Sequence, residues 1–475
     1  MVFQSSRRNV LLAGSALTAA TLFGCSSTGA GPTSKTSALV APTGTASVAG
    51  LTPNPSAADL AGGPTWKPAD LSGQTITMWG LNYAPHVERY KLLIEMFKKA
   101  TNCEVRLQPQ SFDDLSTVLV KSAGKPPDVL CFMGKAIGTM VRQKALVNLT
   151  SMYTDLGVDM TKWWYDEALS AYNYNNGEIY GVPLESSAMN TAVVRADLMD
   201  KNESKLAGLI PKGNYFESYD DLFQAAQILQ VKKGDTVKIW GVNQQNWEST
   251  NIPSIMWQQG ALWWDEQAGT FNFDTDAGVK AFELVVSKPY AMGIESTLAA
   301  DSSSNFISGQ VAIAVTGAGA AGGALQNGIE ATNYVRPSAV AGQAPKFIGE
   351  GGWGFEVLTR AKNPEAAMEW AKFVTTYEAQ FSFTQIYNRT NLAACRPLAK
   401  SAIYQGDGLV PTGMRRALTA VENTRFMGHG YDPTVESLIS KQAGALREGK
   451  TTAKEAAAAL QKAATAQQKR YASQG

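Results

Sequence analysis

One stretch, residues 176–195 (NGEIYGVPLESSAMNTAVVR), limits the folds open to this 475-residue chain. Gly177, Gly181 and Pro183 punctuate it, so it is built of turns and extended segments and not of one helix. Ile179, Val182 and Leu184 are apolar beside polar neighbours, and Thr191–Val194 has the β-branched, alanine-rich make-up of a strand. We read it as a chain that leaves one lobe, crosses a hinge and enters a second. The length agrees, because 475 residues exceed one ordinary core and call for two or three domains.

The pattern before this stretch says what the first lobe is. Thr75–Trp79 reads as a strand, and Glu88–Ala100 as a helix with Val87, Tyr90, Ile94 and Phe97 on one face. Cys103–Gln108 is a second strand, Phe112–Ser122 a second helix stopped by Pro126-Pro127, and Asp128–Phe132 a third strand. Strand, helix, strand, helix, strand implies a parallel sheet with right-handed crossovers. A ligand site then lies at the strand carboxyl ends, here Trp79–Tyr83, Gln110–Asp113 and Phe132–Lys135. After the crossover, Ser218-x-x-Asp221 opens a helix with a capping box, Ile239–Asn243 reads as a strand and Pro253–Gln259 as a helix. Asp276–Val286 is capped near Asp274 or Thr275, and Asn363-Pro364 starts a helix whose apolar face is Ala367, Trp370, Phe373 and Val374. The helix 436–447 and the tail 452–468 complete the chain.

The amino terminus reads as an export signal. Arg7 and Arg8 precede one apolar run, Val10–Phe23, too short to span a bilayer comfortably, and Cys25 follows. Residues 1–24 are the expected signal peptide; Ser6–Leu11 also fits a twin-arginine motif, so both export routes stay open. Leu22-Phe23-Gly24-Cys25 resembles a lipobox, with Cys25 the expected lipidation site and the membrane an expected partner through that anchor. Residues 25–66, rich in Ser, Thr, Ala, Gly and Pro, read as a flexible tether. The remaining Cys103, Cys131 and Cys395 are odd in number and widely spaced, which gives neither a disulfide framework nor a zinc pattern, and they read as buried thiols. With 42 Lys+Arg against 41 Asp+Glu and no basic stripe, nothing points to nucleic acid.

The segment Gly177-x-x-Tyr180-Gly181-Val182-Pro183 resembles the first hinge crossover of the extracellular solute-binding proteins of ABC importers, the sugar-binding family that includes maltose-binding protein. Other segments resemble that family in order and spacing from about Gln74 to the end: Pro126–Gly134 (PPDVLCFMG), Gln143–Leu149 (QKALVNL), Phe306–Val315 (FISGQVAIAV) and Gly351–Val357 (GGWGFEV). The resemblance implies an α/β, two-lobe periplasmic-binding-protein fold of type II with an interlobe cleft. It implies lobes of residues 67–184 with 297–352, and 185–296 with 353–475. It implies a monomeric, lipid-anchored receptor that closes on a carbohydrate and delivers it to an ABC permease, with no cofactor and no metal.

Sugars present apolar C–H faces and a ring of hydroxyls, so the cleft needs flat rings and polar side chains. The candidates are Trp79, Phe112, Trp247, Trp257 and Trp353 for the faces, and Asn82, Asp113, Glu185, Ser186 and Arg389 for the hydroxyls. Gly317 and Gly319 join them, because the family's corresponding turn faces the cleft and exposed backbone N–H groups there suit ligand oxygens or a phosphate. Trp163, Trp164 and Trp370 are assigned to packing. His86 reads as a surface or capping residue, with ligand contact the lesser alternative.

Two nucleotide-type patterns occur by chance. Gly444–Thr451 has phosphate-loop spacing, but it lies at a helix end with Glu448 inside it; Gly317-x-Gly319-x-x-Gly322 lacks the acidic strand end that a dinucleotide site needs. No hydrolase motif is present, although Asp113 and Glu185 leave open a glycosidase pair. The alternatives are thus an exported carbohydrate-active enzyme, a receptor for a phosphorylated or anionic solute, and a receptor that serves a sensor.

Overall fold

A computed structural model describes residues 55–472, apart from 112–114, 116–125, 175–176, 187–190, 210–214, 266–267, 299–300, 387–388, 391 and 430–432. The signal, Cys25, most of the tether, Phe112, Asp113 and the expected helix 112–122 therefore lie outside the described residues. In chain order, and numbering elements as they are introduced, the framework begins with β1 (Thr75–Leu81), α1 (Ala84–Thr101), β2 (Glu104–Gln110) and β3 (Val129–Met133). It continues with α2 (Asp166–Ser170), β4 (Val182–Pro183), β5 (Thr191–Arg195) and α3 (Tyr219–Leu229). Next come β6 (Val231–Lys233), β7 (Thr236–Asn243), α4 (Glu248–Gln258), β8 (Val311–Thr316), α5 (Ala320–Gln326) and β9 (Ala331–Val335). The rest is β10 (Phe347–Gly349), β11 (Trp353–Val357), α6 (Pro364–Val374), α7 (Tyr377–Thr384), α8 (Leu409–Val421), β12 (Thr424–Phe426), α9 (Pro433–Arg447) and α10 (Ala453–Ala472).

Two five-stranded sheets organise these elements. The first has the order β2-β1-β3-β11-β4, with β1 parallel to β2 and β3. Every residue of β3, parallel to β1 and antiparallel to β11, is buried, as expected for a central strand covered on both faces. Trp370 of α6 meets Phe97 of α1 and Phe355 of β11 edge-on at 5.1 and 5.3 Å, so the rings lock both helices to the sheet. The second sheet has the order β9-β5-β8-β7-β6. Ser218 caps α3 by accepting from the Asp221 amide, as the capping box requires. Thr275 caps the helix at Asp276 in the same way.

The return to the first sheet comes later than expected. Residues 297–352 were assigned to the first lobe, yet β8 pairs with β5 and β7 at the centre of the second sheet. Conversely β11, expected in the second lobe, pairs with β3 and β4 in the first. A strand such as VAIAVT is apolar on both faces and suits the middle of either sheet, so periodicity could not assign it. The connection between the sheets is instead 336–352, which carries β10 paired to β12.

The ordered body also starts earlier than residue 67. The Trp66 indole donates to Glu369 Oε1 at 2.7 Å and packs on Phe373 at 5.4 Å, and the Thr65 amide donates to Leu156 O at 2.8 Å. Residues 56–69 are therefore a strap fastened to the first lobe. A lone tryptophan within a Ser/Thr/Pro-rich run was the signal that composition hid.

Asn363 precedes α6 but does not cap it through its side chain, which donates to Thr75 O instead. Helix α4 begins at Glu248, five residues before the expected Pro253, which lies inside it. The three other cysteines are buried and unpaired, and Gly449, in the left-handed region at φ 67°, ends a helix where phosphate-loop spacing occurs.

Candidate interlobe binding site

Strand register brings one edge of each sheet to the hinge. In the first sheet Trp353, the first residue of β11, stands opposite Met133, the last of β3, so both mark the edge where β1 also ends. In the second sheet Thr191 stands opposite Thr316 and Val335, and β7 ends nearby at Asn243. The first crossover joins these edges directly. It leaves β4 at Pro183, with the Leu184 amide donating to Trp353 O at 2.9 Å, and enters the second sheet at Thr191. The expected ligand edge of one sheet therefore meets that of the other across one short span of chain.

The first-sheet edge is an aromatic shelf. The His86 ring lies 5.1 Å from Trp353 and 5.6 Å from the exposed Tyr83, both edge-on. His86 is buried and its Nδ1 lies 3.2 Å from Tyr90 Oη, so the expectation of a surface or capping residue is corrected: it is the joint of the shelf. Burial, aided by the Arg89 charge, holds its pKa well below the usual imidazole range, so the ring is neutral at pH 7. Behind the shelf stands Glu185. Desolvation of its carboxyl raises the pKa to about 7; Arg89 acts to lower it, and Glu167 adds to the rise. Lys135, immediately past β3, reaches Glu350 at 3.1 Å and Glu436 of α9 at 3.0 Å. Its place inside the strand-end segment 132–135 was the available signal, but sequence alone did not single it out.

The second-sheet edge carries polar groups lacking partners. Asn243, Trp247 and Asn251 surround the β7–α4 junction. Asn243 Nδ2, Trp247 Nε1 and both side-chain polar atoms of Asn251 are buried with no hydrogen-bond partner among the described residues. Asn246, in the left-handed region at φ 68°, makes the turn that sets Trp247 at the start of α4. Such groups are costly to bury unpaired, so a water or a ligand at this edge would complete their bonding.

The other candidates divide. Trp79 is half-buried two residues before the end of β1, its indole donating to Gln108 Oε1 at 2.6 Å on the neighbouring strand. Asn82 is exposed just past β1. Ser186 is buried and donates to Glu167, so it serves the hinge and not an open site. Trp257 does not reach the edge: it lies nine residues beyond the start of α4, about 14 Å along the axis, against Lys346 at 5.7 Å. The turn at Gly317 and Gly319 does sit at the end of β8. Two of its amides are engaged within the turn, those of Ala320 and Ala321 donating to the Gly317 and Ala318 carbonyls. Arg389 belongs to a two-residue strand paired with Gln385–Ile386, and this hairpin lies against α5. A separate concavity of about 430 Å³ is lined by α8 and β9 residues, including Thr332, Tyr334 and Arg416; it lies outside the hinge edges. Among the described residues no group of acidic, histidine or cysteine side chains is arranged to hold a metal ion.

A two-sheet body hinged so that strand ends face each other defines a solute receptor. The sequence matches the family model of bacterial extracellular solute-binding proteins over residues 83–381, and the chain belongs to that family. Solved structures share the fold. An ABC substrate-binding protein, Lmo0181 of Listeria monocytogenes, in complex with cycloalternan, matches with 18% identity and a TM-score of 0.68, over 83% of this chain and 98% of its own. The maltose/maltodextrin-binding domain MalE of Bdellovibrio bacteriovorus, bound to maltotriose, matches with 14% identity and a TM-score of 0.64, over 83% and 99%. The sugar-binding protein MalE of Xanthomonas citri matches with 14% identity and a TM-score of 0.67, over 85% and 100%. A comparison with curated protein sequences gave no match. The family is one of binding proteins, so the carbohydrate-active enzyme alternative is set aside.

Proposed function

We propose that this chain is the receptor of an ABC importer that captures a carbohydrate between its lobes and delivers it to a membrane permease. The observation that carries this reading is the pairing of an aromatic shelf, Trp353–His86–Tyr83, with the unpartnered Asn243, Trp247 and Asn251 groups across the hinge. Flat rings suit sugar C–H faces and amides suit hydroxyls. The carbohydrates held by the structurally similar proteins, cycloalternan and maltotriose, support the same ligand class. Both lobes contact the sugar together only when closed, so binding shifts the population toward closure by its extra affinity for that state. Export by residues 1–24, anchoring through a lipidated Cys25 and a monomeric state belong to this reading. With the strap ordered from residue 56, the tether on this reading is residues 25–55.

The test is thermal unfolding of residues 56–475 against mono- and oligosaccharides, polyols and sugar phosphates. A ligand at 100 times its dissociation constant adds about 2.7 kcal/mol, well within reach. A shift with an oligosaccharide supports the reading; a shift confined to sugar phosphates moves the ligand class to anions; no shift with any sugar removes carbohydrate.

A further inference from the structure

Two of the chain's crossings at the hinge share one carboxylate. Glu167, on α2 of the first lobe, is 1% exposed. Its Oε2 accepts from Ser186 Oγ at 2.5 Å, in the first crossover, and its Oε1 accepts from the Gly351 amide at 2.9 Å, in the returning connection. The hydroxyl bond is short and the amide bond of ordinary length, and both lie in a dry site where such bonds are strong. The neighbouring chain is shaped around this helix. A Cβ on Gly349 would collide with Glu167 Oε1, and one on Gly351 would collide with Ala171. Ser186 and Gly351 lie 165 residues apart in sequence, yet one buried side chain fixes their spacing.

We propose that Glu167 is a positioning residue for lobe closure: it ties these two crossings to each other, so that they twist about a shared point. This rests on the closure reading above. With both segments held by one carboxylate, Glu185, next to Ser186, and Trp353, two residues beyond Gly351, keep their mutual placement as the lobes rotate. Without it, each crossover twists separately, open arrangements multiply, and a bound sugar escapes faster. Glu167 touches no ligand in this scheme and acts through Ser186 and Gly351.

The test compares Glu167→Gln and Ser186→Ala with the unaltered chain of residues 56–475. Ser186→Ala removes one of the two ties and leaves the buried carboxylate in place, so it keeps the proposal testable if Glu167→Gln does not fold. The first readout needs no ligand: hydrogen exchange of peptides covering 182–195 and 347–355. A tenfold or greater loss of protection in both segments, with the rest of both sheets unchanged, is expected even for Ser186→Ala, whose altered bond lies in only one of them. Loss confined to 182–195 overturns the coupling, as does unchanged exchange in both. The second readout is the dissociation rate of maltotriose, expected to rise five- to fiftyfold with the association rate held within twofold. An unchanged dissociation rate also overturns the proposal. Failure of the unaltered chain to bind maltotriose speaks against that sugar, and the exchange arm then decides the coupling alone.

Discussion

Lys135 Nζ lies 3.0 Å from Glu436 Oε2, and this ion pair joins the strand ends of the first sheet to helix α9, which packs on α4 and α10 of the second lobe. The same ammonium holds Glu350 at 3.1 Å in the connection between sheets. Burial pushes the Glu350 carboxyl up, and the lysine opposes the rise. Removing the cation leaves two carboxylates facing each other at the seam. Lys135→Met is therefore expected to favour the open arrangement, seen as a larger radius of gyration of the ligand-free chain by solution scattering. It should also lower the urea midpoint by the equivalent of about 2–4 kcal/mol. Glu436→Gln, which leaves Lys135 and Glu350 paired, should have the smaller effect on both.

Gly352 is in the left-handed region at φ 63°, and a Cβ there would strike the backbone carbonyl of Glu185 in the other crossover. Glycine is required twice over, by conformation and by space. Gly352→Ala is expected to destabilise the fold by about 2–4 kcal/mol and to weaken sugar binding, since relief of the clash separates Trp353 from Glu185. Chemical denaturation read with a titration of the best sugar from the thermal panel checks both; retention of full affinity would show that the crossovers need not touch.

The strap gives a sharper expectation for truncation. A chain beginning at Gln74 loses the Trp66 bond to Glu369 and the ring contact with Phe373. Relative to a chain beginning at residue 56, it should melt several degrees lower. Trp66→Ala in the longer chain should reproduce most of that loss, about 2 kcal/mol.

Local signals made much of this fold readable. Helix α3 announced itself through Ser218 and Asp221, and Trp163, Trp164 and Trp370 were placed in the core, where all three are fully buried. The first crossover was legible because Gly181 and Pro183 forbid a helix through it. What escaped was long-range. Sheet membership of β8 depends on partners about 70 and 120 residues away, and a strand apolar on both faces carries no address. His86 offered no sequence mark of burial, and the tie made by Glu167 to Ser186 and Gly351 is a relationship among three segments that no spacing encodes. Trp257 was indistinguishable from Trp247 in sequence, although helix geometry carries it away from the edge.

Glu185 makes stability depend on pH in a defined window. Its folded pKa of about 7 exceeds the ordinary 4.5, so the folded state holds a proton that the unfolded state releases. The stabilisation from that proton is fully present below about pH 4.5 and is lost as pH rises through 7. Glu185→Gln, which cannot ionise, should therefore flatten the stability profile between pH 5 and 8 and gain up to about 3 kcal/mol on the unaltered chain at pH 8. Thermal melts of both chains across that range measure it. A parallel slope in the two chains would assign the dependence elsewhere, with Glu295, raised to about 8 by its own burial, the next group to replace.

Trp247 and Trp257 separate the edge from the rest of the second lobe. Both lie on or beside α4 and both are half-buried. Only Trp247 stands at the β7–α4 junction with its indole N–H unpartnered, whereas Trp257 packs against Lys346 further along. Loss of a ring from a sugar face costs about 1–3 kcal/mol, or roughly 5- to 150-fold in affinity. Trp247→Ala should thus lower affinity for the best-binding oligosaccharide at least fivefold, and Trp257→Ala should leave it within twofold while costing stability through lost packing. Calorimetric titration of the two variants decides between them. Equal losses would mean that the sugar reaches along the helix, and a loss at Trp257 alone would move the ligand away from the strand ends altogether.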